Sequence, residues 1–317
     1  MLISIIIPSY NVAKYIKRTL DSVLIQDGID IEVIVINDGS TDNTFEVISS
    51  YSDKFINFKL IDQDNSGVSR ARNKGLLNAS GEFILFLDGD DFIELGLLNF
   101  LRDRISNEDY DTYVWNFDKV DENGLYIEKG PLDKCLGKRY SDPIDLFFQD
   151  NLVFWTGCVL YNKSIIVENE LFFDHRFRYA EDQNFTIKYL SFSKRIKFDL
   201  KIYTHYLQRQ GSAVNNPIKK NIRDNIRSFN SLKHQLTNTK IIQLIKFRKI
   251  PQNILTVLAY YASVKDRAHF NSLSKRNIIK KYLIYFILHN LLMYKTVIKA
   301  LICIFAPNMF YKIYEKK

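Results

Sequence analysis

Short apolar runs alternate with segments of helical periodicity over roughly the first 90 residues, and this alternation constrains the fold more than any other feature. Four runs rich in β-branched and aromatic residues, typical of buried strands, cover residues 3–7, 32–36, 58–61 and 83–87. Between the first two, apolar residues from Val12 to Leu24 recur at the spacing of an amphipathic helix. Strands that alternate with helices predict βαβ units around a mostly parallel sheet.

Weaker patterns continue this architecture along the chain. Helices are predicted at 41–50, 69–79 and 182–191, and further strands at 112–117, 153–161 and 196–203. From about residue 219 the pattern becomes helical, with a break predicted at Pro251 and a second near Lys275.

A polar cluster follows each of the four early strands. The clusters lie at residues 8–11, 37–40, 62–67 and 88–91. In open α/β sheets, ligands bind at the carboxyl ends of the strands. The four clusters therefore predict a single ligand-binding crevice.

The cluster at 88–91 contains three carboxylates, those of Asp88, Asp90 and Asp91. Carboxylates this close repel one another unless a cation lies among them, and their oxygens suit Mg²⁺ or Mn²⁺ held together with a substrate's phosphates. The alternative is a solvated acidic turn, since Asp-Gly pairs are common in turns. The position at the end of a predicted strand favours the metal.

Three other side chains are candidates for nucleotide binding. Asp38 follows a buried strand and can accept a hydrogen bond from a base or ribose, whereas Asp42 is typical of a helix N-cap. Arg72 lies near the start of a predicted helix, where phosphate binding is favoured, although Lys74 fits a solvated basic face equally well. Arg209 lies in a Gly/Ser-rich loop and could clamp a diphosphate.

The pair Glu181–Asp182 lies where a helix is predicted to begin. The helix dipole favours an ionised carboxylate there, which suits a general base aimed at a hydroxyl. The alternative is simple N-capping. His205 could be a further metal ligand, although a structural histidine with satisfied hydrogen bonds is the more ordinary interpretation.

The net charge of +8 is unevenly distributed. Residues 1–215 hold 24 Lys+Arg and 33 Asp+Glu, a net of −9, whereas residues 216–317 hold 20 Lys+Arg and three acids, a net of +17. We therefore predict a catalytic domain at 1–215 and a basic helical region at 216–317 that meets an anionic surface.

The basic region has three interpretations. Its cations flank strongly apolar helices, which favours attachment to an anionic membrane surface. A bundle packed on itself or on a second subunit as a homodimer is the main alternative. Nucleic acid is disfavoured, because no nucleic-acid module is present and the aromatic residues lie within apolar helices.

Three cysteines, far apart and without a CxxC pair, exclude a disulfide scaffold and a thiolate zinc site. The apolar start stops at Pro8, which is too short for a signal peptide. No stretch of about 18 uncharged apolar residues is present. We expect a cytoplasmic protein, peripheral at the inner face of the cell membrane.

Six stretches together resemble the family 2 glycosyltransferases with the GT-A fold, in particular bacterial capsule and exopolysaccharide enzymes. They are SIIIPSYN (4–11), VINDGSTDNT (35–44), NSGVSRARNKGL (65–76), EFILFLDGDD (82–91), YAEDQNF (179–185) and YLQRQGS (206–212). The resemblance covers about residues 1–215. It implies a UDP-sugar donor, a glycan acceptor on a lipid diphosphate carrier, Mn²⁺ or Mg²⁺ as cofactor, and inversion at the anomeric carbon.

The resemblance also implies roles for residues of the donor site. Pro8 and Tyr10 would line the nucleoside pocket, and Asp38 would bind the base. Arg72 would lie on the nucleotide side of the crevice. Asp88, the first acid of the DxD motif, would lie near the ribose.

The same resemblance assigns the reacting groups. Asp90 would bind the divalent metal, and Asp91 could orient the sugar or the metal. Asp182 would deprotonate the acceptor hydroxyl, with Glu181 beside it, and Arg209 would stabilise the departing diphosphate.

Two departures from the family pattern matter. Asn37 stands where many relatives have an Asp, which leaves Asp38 alone at the base. The segment 154–158, with Trp155, occupies the acceptor-facing region but matches no acceptor-specific pattern.

Two other classes remain as alternatives. One is a different α/β nucleotide-binding enzyme, such as a nucleotidyltransferase or an NAD-dependent oxidoreductase, although no GxGxxG follows any strand. The other is a non-catalytic nucleotide-sugar-binding protein.

Overall fold

The computed structural model describes residues 1–26, 30–130, 156–209, 219–290 and 294–315. The chain divides into two compact units, Met1–Asn216 and Pro217–Lys317. Two sets of residues named from the sequence lie outside the described residues: Cys135, and residues 153–155 at the start of a predicted strand, which include Trp155. Cys158 and Cys303 are buried free thiols.

Unit 1 is built on one mixed sheet. Its strands are β1 Leu2–Ser9, β2 Asp30–Asp38, β3 Phe58–Gln63, β4 Phe83–Phe86, β5 Phe92–Ile93, β6 Thr112–Val120, β7 Tyr126–Lys129, β8 Val159–Asn162 and β9 Ile196–Leu207. The order across the sheet is β3-β2-β1-β4-β8-β6-β9-β5, with β7 paired to β6.

Helices and one 3₁₀ turn connect these strands. Among the described residues of unit 1, the helices are α1 Ile16–Leu24, α2 Thr44–Ser49, α3 Val68–Asn78, α4 Leu97–Asn107, α5 Lys163–Glu168 and α6 Glu181–Leu190. The 3₁₀ turn covers Thr156–Cys158 and occupies part of the strand that the sequence predicts at 153–161.

The four predicted apolar runs form the first four strands, which pair side by side in the sheet. β1 pairs in parallel with β2 and β4, and β2 pairs in parallel with β3. Ile3, Ile5, Ile6 and Ile7 of β1 are fully buried, and each such burial stabilises the fold by roughly 1.5–3 kcal/mol. The predicted α/β fold with a parallel arrangement of the early strands is therefore confirmed.

Two features of the sheet differ from the sequence prediction. The run 58–61 predicts a buried strand, but β3 is only half-buried because it forms the edge of the sheet. Beyond β4 the sheet is mixed, since β8 runs antiparallel to both β4 and β6 while β9 runs parallel to β6. β9 also extends past the predicted end at residue 203, which carries Leu207 to the site.

Unit 2 is helical. Its elements are α7 Lys219–Leu232, α8 Thr239–Leu244, a π-helical segment Ile245–Lys249, α9 Ile250–Ser263, α10 Arg267–Ser274, α11 Asn277–His289, α12 Tyr294–Phe305 and α13 Pro307–Glu315. α9 packs against several of the other helices and supplies the buried Ile254, Leu258 and Tyr261.

One of the two predicted breaks in this unit is confirmed. A break near Lys275 separates α10 from α11. The expected break at Pro251 is wrong, because this proline lies in the first turn of α9, directly after the π-helical segment. Proline is tolerated in a first turn, where its missing N–H matters least.

Within the described residues, no single helix has both the length and the apolar character needed to cross a membrane. Lys295–Phe305 and Pro307–Glu315 meet that test only as a pair, which is bent by 119°.

Candidate active site

The site lies where the loop after β4 meets the end of β1. Gly89 N–H donates to the Pro8 carbonyl at 3.3 Å, and the Thr19 hydroxyl donates to the Gly89 carbonyl at 3.1 Å. A Cβ at residue 89 would lie 2.8 Å from Ser9 Oγ, so only glycine fits this close approach. The packing of Gly89 fixes the backbone between Asp88 and Asp90.

Arg72 joins the two acidic parts of the site. Its Nη2 donates to Asp88 Oδ1 at 2.8 Å and its Nη1 donates to Glu181 Oε1 at 3.3 Å. The side chain is 4% exposed, and its guanidinium carbon lies 5.2 Å from the centroid of the Phe173 ring. Burial would lower the pKa of Arg72, but Asp88 and Glu181 outweigh burial and raise it. The arginine therefore links α3, the β4–β5 loop and the start of α6.

The position of Phe173 is fixed by Asn73. Asn73 Nδ2 donates to the Phe173 carbonyl at 2.9 Å, and Phe173 N–H donates to Asn73 Oδ1 at 2.8 Å. Neither Asn73 nor Phe173 is identifiable from the sequence as a site residue, because neither lies in a local pattern that marks a site.

Asp90 pairs with Arg209. Arg209 Nε donates to Asp90 Oδ2 at 2.7 Å. Burial and the neighbouring charge of Asp88 raise the pKa of Asp90, although Arg209 opposes this shift. Two carboxylates and a guanidinium thus converge at one point beside the end of β4.

Asp91 is buried beside the end of β9. It is 1% exposed, and its Oδ1 accepts from Leu207 N–H at 2.7 Å. Burial first, then the charges of Asp90 and Asp88, raise its pKa well above the usual range. Asp91 Oδ1 therefore ties the acidic loop to the end of β9, while its buried Oδ2 has no hydrogen-bond partner. The contact of Asp91 with the sugar or the metal stays a prediction.

The donor set fits a hard divalent cation held jointly with a substrate. Within the described ranges, no group of three His, Cys, Asp or Glu residues could hold a metal ion. Asp88 and Asp90 instead repel one another in a partly buried loop, and a cation between Asp90 and phosphate oxygens would relieve that repulsion. One carboxylate plus substrate phosphates is an ordinary ligand set for Mg²⁺.

Asp38 is placed at the crevice but is used to fix a loop. Its Oδ1 accepts from Gln63 Nε2 and Ser66 N–H, each at 2.8 Å, and its Oδ2 accepts from Gly67 N–H at 2.8 Å. Asp38 is 3% exposed. Asp38 thereby shapes the loop between β3 and α3, at the edge where Tyr10 is exposed and Pro8 is buried.

A cleft of about 540 Å³ opens beside this edge. It is lined by Asn37, Gly39, Ser40, Asp42, Phe45, Glu46, Asp62, Gln63 and Asp64. Asn37 Nδ2 donates to Asp62 at 2.6 Å, while the buried Asn37 Oδ1 has no hydrogen-bond partner. Asp42 accepts from Thr44 N–H at 3.0 Å just before α2, but the N-cap residue is Asn43, so the expected N-cap at Asp42 is wrong.

Glu181 and Asp182 form the first turn of α6, after Ala180 in a left-handed conformation (φ 60°). Ala180 is the N-cap residue, so neither acid caps the helix in the simple sense. Asp182 Oδ1 accepts from Gln183 N–H at 2.6 Å. Burial and then the charge of Asp182 raise the pKa of Glu181 to about 7, against the opposing effect of Arg72.

His205 has both ring nitrogens committed to carboxylates. Nδ1 lies 2.5 Å from Asp118 Oδ1 and Nε2 lies 2.7 Å from Glu94 Oε1. The ring stacks on Phe92 with centroids 4.6 Å apart. These contacts favour the structural histidine over the metal ligand, and the two acids that hold it were not identified from the sequence.

Comparisons with known proteins identify a family and several relatives. Residues 4–169 match the family model described as Glycosyl transferase family 2. An uncharacterized glycosyltransferase of Rickettsia typhi (strain ATCC VR-144 / Wilmington) is 33% identical over 228 residues, which are 68% of this chain and 67% of that relative. The uncharacterized glycosyltransferase EpsJ of Bacillus subtilis (strain 168) is 29% identical over 222 residues, which are 69% of this chain. The match spans 64% of EpsJ, less than two thirds of its length.

Solved structures show the same fold. The structure of residues 1–349 of TarS from S. aureus, in complex with UDP-GlcNAc, gives a TM-score of 0.71 at 20% identity. The alignment covers 100% of this chain and 91% of that one.

Proposed function

The chain belongs to glycosyl transferase family 2, and we propose that it transfers a sugar from a UDP-sugar to a hydroxyl group of a glycan acceptor. The observation that carries the proposal is the pairing of Asp90 with Arg209 at 2.7 Å, beside the loop that also holds Asp88. An acid for a cation and an arginine for a diphosphate lie together, as transfer from a nucleoside diphosphate requires.

The chemistry follows from charge. Cleavage of a glycosyl–phosphate bond leaves negative charge on the diphosphate, which Arg209 neutralises by charge-assisted hydrogen bonds. A Mn²⁺ or Mg²⁺ ion held by Asp90 supplies further neutralisation when bound. Asp88 and Arg72 hold the loop and the nucleotide side of the crevice, and Pro8, Tyr10 and Asp38 form its nucleoside end.

The acceptor hydroxyl is deprotonated by Asp182. Its oxygen then attacks the anomeric carbon from the face opposite the diphosphate, so that one bond forms as the other breaks and the configuration inverts. Glu181, the neighbouring acid, is held by Arg72 at 3.3 Å. Asp182 is then the one carboxylate that acts as base, and a single base suits a single displacement.

The acceptor is proposed from the relatives. TarS is named as a poly(ribitol-phosphate) beta-N-acetylglucosaminyltransferase, and we place the present chain in the synthesis of a capsule-type or exopolysaccharide polymer. The acceptor glycan is carried on a lipid diphosphate at the inner face of the cell membrane.

Unit 2 supports attachment to that membrane. Along α11 to α13, exposed apolar side chains alternate with exposed lysines. The apolar members include Ile278, Ile284, Leu288, Ile298, Phe305 and Met309, and the lysines include Lys281, Lys295, Lys299 and Lys312. Such a surface binds an anionic leaflet through apolar insertion and roughly 1 kcal/mol per lysine.

Vesicle sedimentation tests the attachment. The protein is expected to sediment with phosphatidylglycerol vesicles at low salt and less at high salt, and Lys281→Glu with Lys299→Glu should weaken binding. The charge-matched control is a double substitution in unit 1, Lys54→Glu with Lys129→Glu. Absence of sedimentation, with a concentration-dependent dimer by light scattering, would assign this surface to a second subunit.

UDP release tests the reaction itself. The protein is incubated with a panel of UDP-sugars and Mn²⁺, with and without EDTA, and compared with Asp90→Ala and with the exposed control Asp103→Ala. We expect release from one sugar, lost with EDTA and in Asp90→Ala but kept in Asp103→Ala. Metal-independent release, or full activity in Asp90→Ala, would refute the role of the metal.

A further inference from the structure

Tyr15 lies against Arg209, and we propose that it is a positioning residue that holds the Arg209 guanidinium for the donor diphosphate. This inference rests on the proposed transfer from a UDP-sugar. The guanidinium carbon of Arg209 lies 5.3 Å from the centroid of the Tyr15 ring, within the range of a cation–π contact. The same guanidinium donates from Nε to Asp90 at 2.7 Å.

Tyr15 is itself anchored. Its hydroxyl donates to Glu122 Oε2 at 3.0 Å, and Glu122 also accepts from the Lys14 ammonium. Lys14 lies 5.2 Å from the Tyr15 ring centroid. The orientation of the ring is therefore set from both ends, by its backbone at the start of α1 and by the carboxylate of Glu122.

Four separate segments meet at this point. Tyr15 precedes α1, Asp90 follows β4, Glu122 lies in the turn between β6 and β7, and Arg209 follows β9. Gln208 N–H donates to the Val120 carbonyl at 2.8 Å, which brings the backbone next to Arg209 close to the turn that holds Glu122. The contact between Tyr15 and Arg209 is therefore fixed by the positions of the strands that precede these segments.

The need for a second contact follows from the proposed role of Asp90. A metal ion bound to Asp90 would compete for the carboxylate that Arg209 contacts and would weaken their ion pair. The contact with Tyr15 does not depend on Asp90, and an aromatic face binds a guanidinium without using its N–H donors. Tyr15 therefore keeps Arg209 in place while its donors turn to the diphosphate.

The test is a double-mutant cycle on nucleotide binding. The affinity for UDP with Mn²⁺ is measured by calorimetry for wild type, Tyr15→Leu, Arg209→Ala and the double variant. We expect Tyr15→Leu to weaken UDP binding by about threefold to tenfold. In the Arg209→Ala background, the same substitution should add less than about twofold.

Three comparisons separate positioning from a structural defect. Tyr15→Phe keeps the ring and should restore most of the affinity, and Tyr126→Leu, at an exposed tyrosine of β7, should bind UDP like wild type. Uridine, measured by competition, lacks the diphosphate and should bind Tyr15→Leu and wild type equally.

Other results would overturn either the role of Tyr15 or the proposed function. Equal losses for uridine and UDP, full additivity with Arg209→Ala, or unchanged UDP affinity in Tyr15→Leu would each overturn the role of Tyr15. If the wild type binds no UDP at all, the proposed function fails first. That outcome is distinct from a wild type that binds UDP but does not respond to Tyr15→Leu.

Discussion

Arg209 Nε lies 2.7 Å from Asp90 Oδ2, although 119 residues separate the two in the sequence. Asp90 follows β4, in the middle of the sheet, and Arg209 follows β9, which lies three strands away from β4. The ion pair therefore depends on the order of strands and not on local sequence.

Arg72→Ala is expected to destabilise unit 1. The substitution leaves Asp88 and Glu181 partly buried without their shared cation, which costs about 3–5 kcal/mol for a buried pair. Arg72→Lys should recover only part of this, since one ammonium cannot reproduce the two-pronged contact. Urea unfolding followed by circular dichroism measures the change.

Arg70→Ala is the matched control for Arg72, two residues earlier on α3 and exposed. It should change the free energy of unfolding by less than about 0.5 kcal/mol. Equal effects for the two arginines would contradict a bridging role for Arg72.

The pH dependence of transfer should report the acid pair on α6. Because the pKa of Glu181 is raised to about 7, we expect the rate to rise with pH through a limb near 7 that reports the ionisation of Glu181 beside the proposed base. Glu181→Gln should shift this limb to lower pH, since one neighbouring charge is removed. Asp182→Asn should reduce kcat by roughly 10²–10⁴-fold.

The same shift has a consequence for stability. The pKa of Glu181 is higher in the folded protein than its ordinary 4.5, so its contribution is full below pH 4.5 and is lost as the pH rises through about 7. The difference in unfolding free energy between wild type and Glu181→Gln should change in that window. A difference that stays constant from pH 4.5 to 8 would argue against the raised pKa.

Glu32 should show the opposite pH dependence. Burial opposes its ionisation, but hydrogen bonds from Lys59, Ser4 and Ser80 outweigh burial and lower its pKa to about 2. Its contribution is therefore present above pH 4.5 and is lost as the pH falls through about 2. Glu32→Gln should cost about 2–3 kcal/mol at pH 7, measured by urea unfolding.

The exposed Glu82→Gln is the control for Glu32, since Glu82 is 68% exposed and lies 3.7 Å from the N-terminal amine. It should leave stability within about 0.5 kcal/mol of wild type. The two variants should converge as the pH approaches 2, and a constant gap would contradict the ionisation of Glu32 as the cause.

Gly89→Ala is expected to displace the acidic loop. The new Cβ would lie 2.8 Å from Ser9 Oγ and 3.2 Å from the Pro8 carbonyl oxygen. A shift of about 1 Å at Asp88 and Asp90 should reduce metal-dependent transfer by roughly tenfold to a hundredfold. Steady-state rates of UDP release measure the loss.

Ser9→Ala removes the nearest of these atoms. Alone it should behave like wild type, and combined with Gly89→Ala it should recover part of the lost rate. A double variant no better than Gly89→Ala would place the strain elsewhere in the loop.

The early strands and helices were predictable because their signals are local. The apolar runs at 3–7, 32–36 and 83–87 specify buried strands by composition, and βαβ connections place the polar clusters at one edge of the sheet. The carboxylates Asp88, Asp90 and Asp182 were identifiable for the same reason, since each lies at the end of a strand or the start of a helix.

The remaining features required the tertiary structure. Asp90 and Asp91 are adjacent in the sequence, which gives no reason to assign them different partners. In the fold, Asp90 pairs with Arg209, whereas Asp91 accepts a hydrogen bond from the backbone of β9. His205 likewise becomes structural only because β6 and the β5 region bring Asp118 and Glu94 to its two nitrogens. The sequence by itself determined which groups can ionise and where the early strands and helices lie. Only the packing of distant strands decided which of these groups are paired, because pairing depends on distances that local sequence does not set.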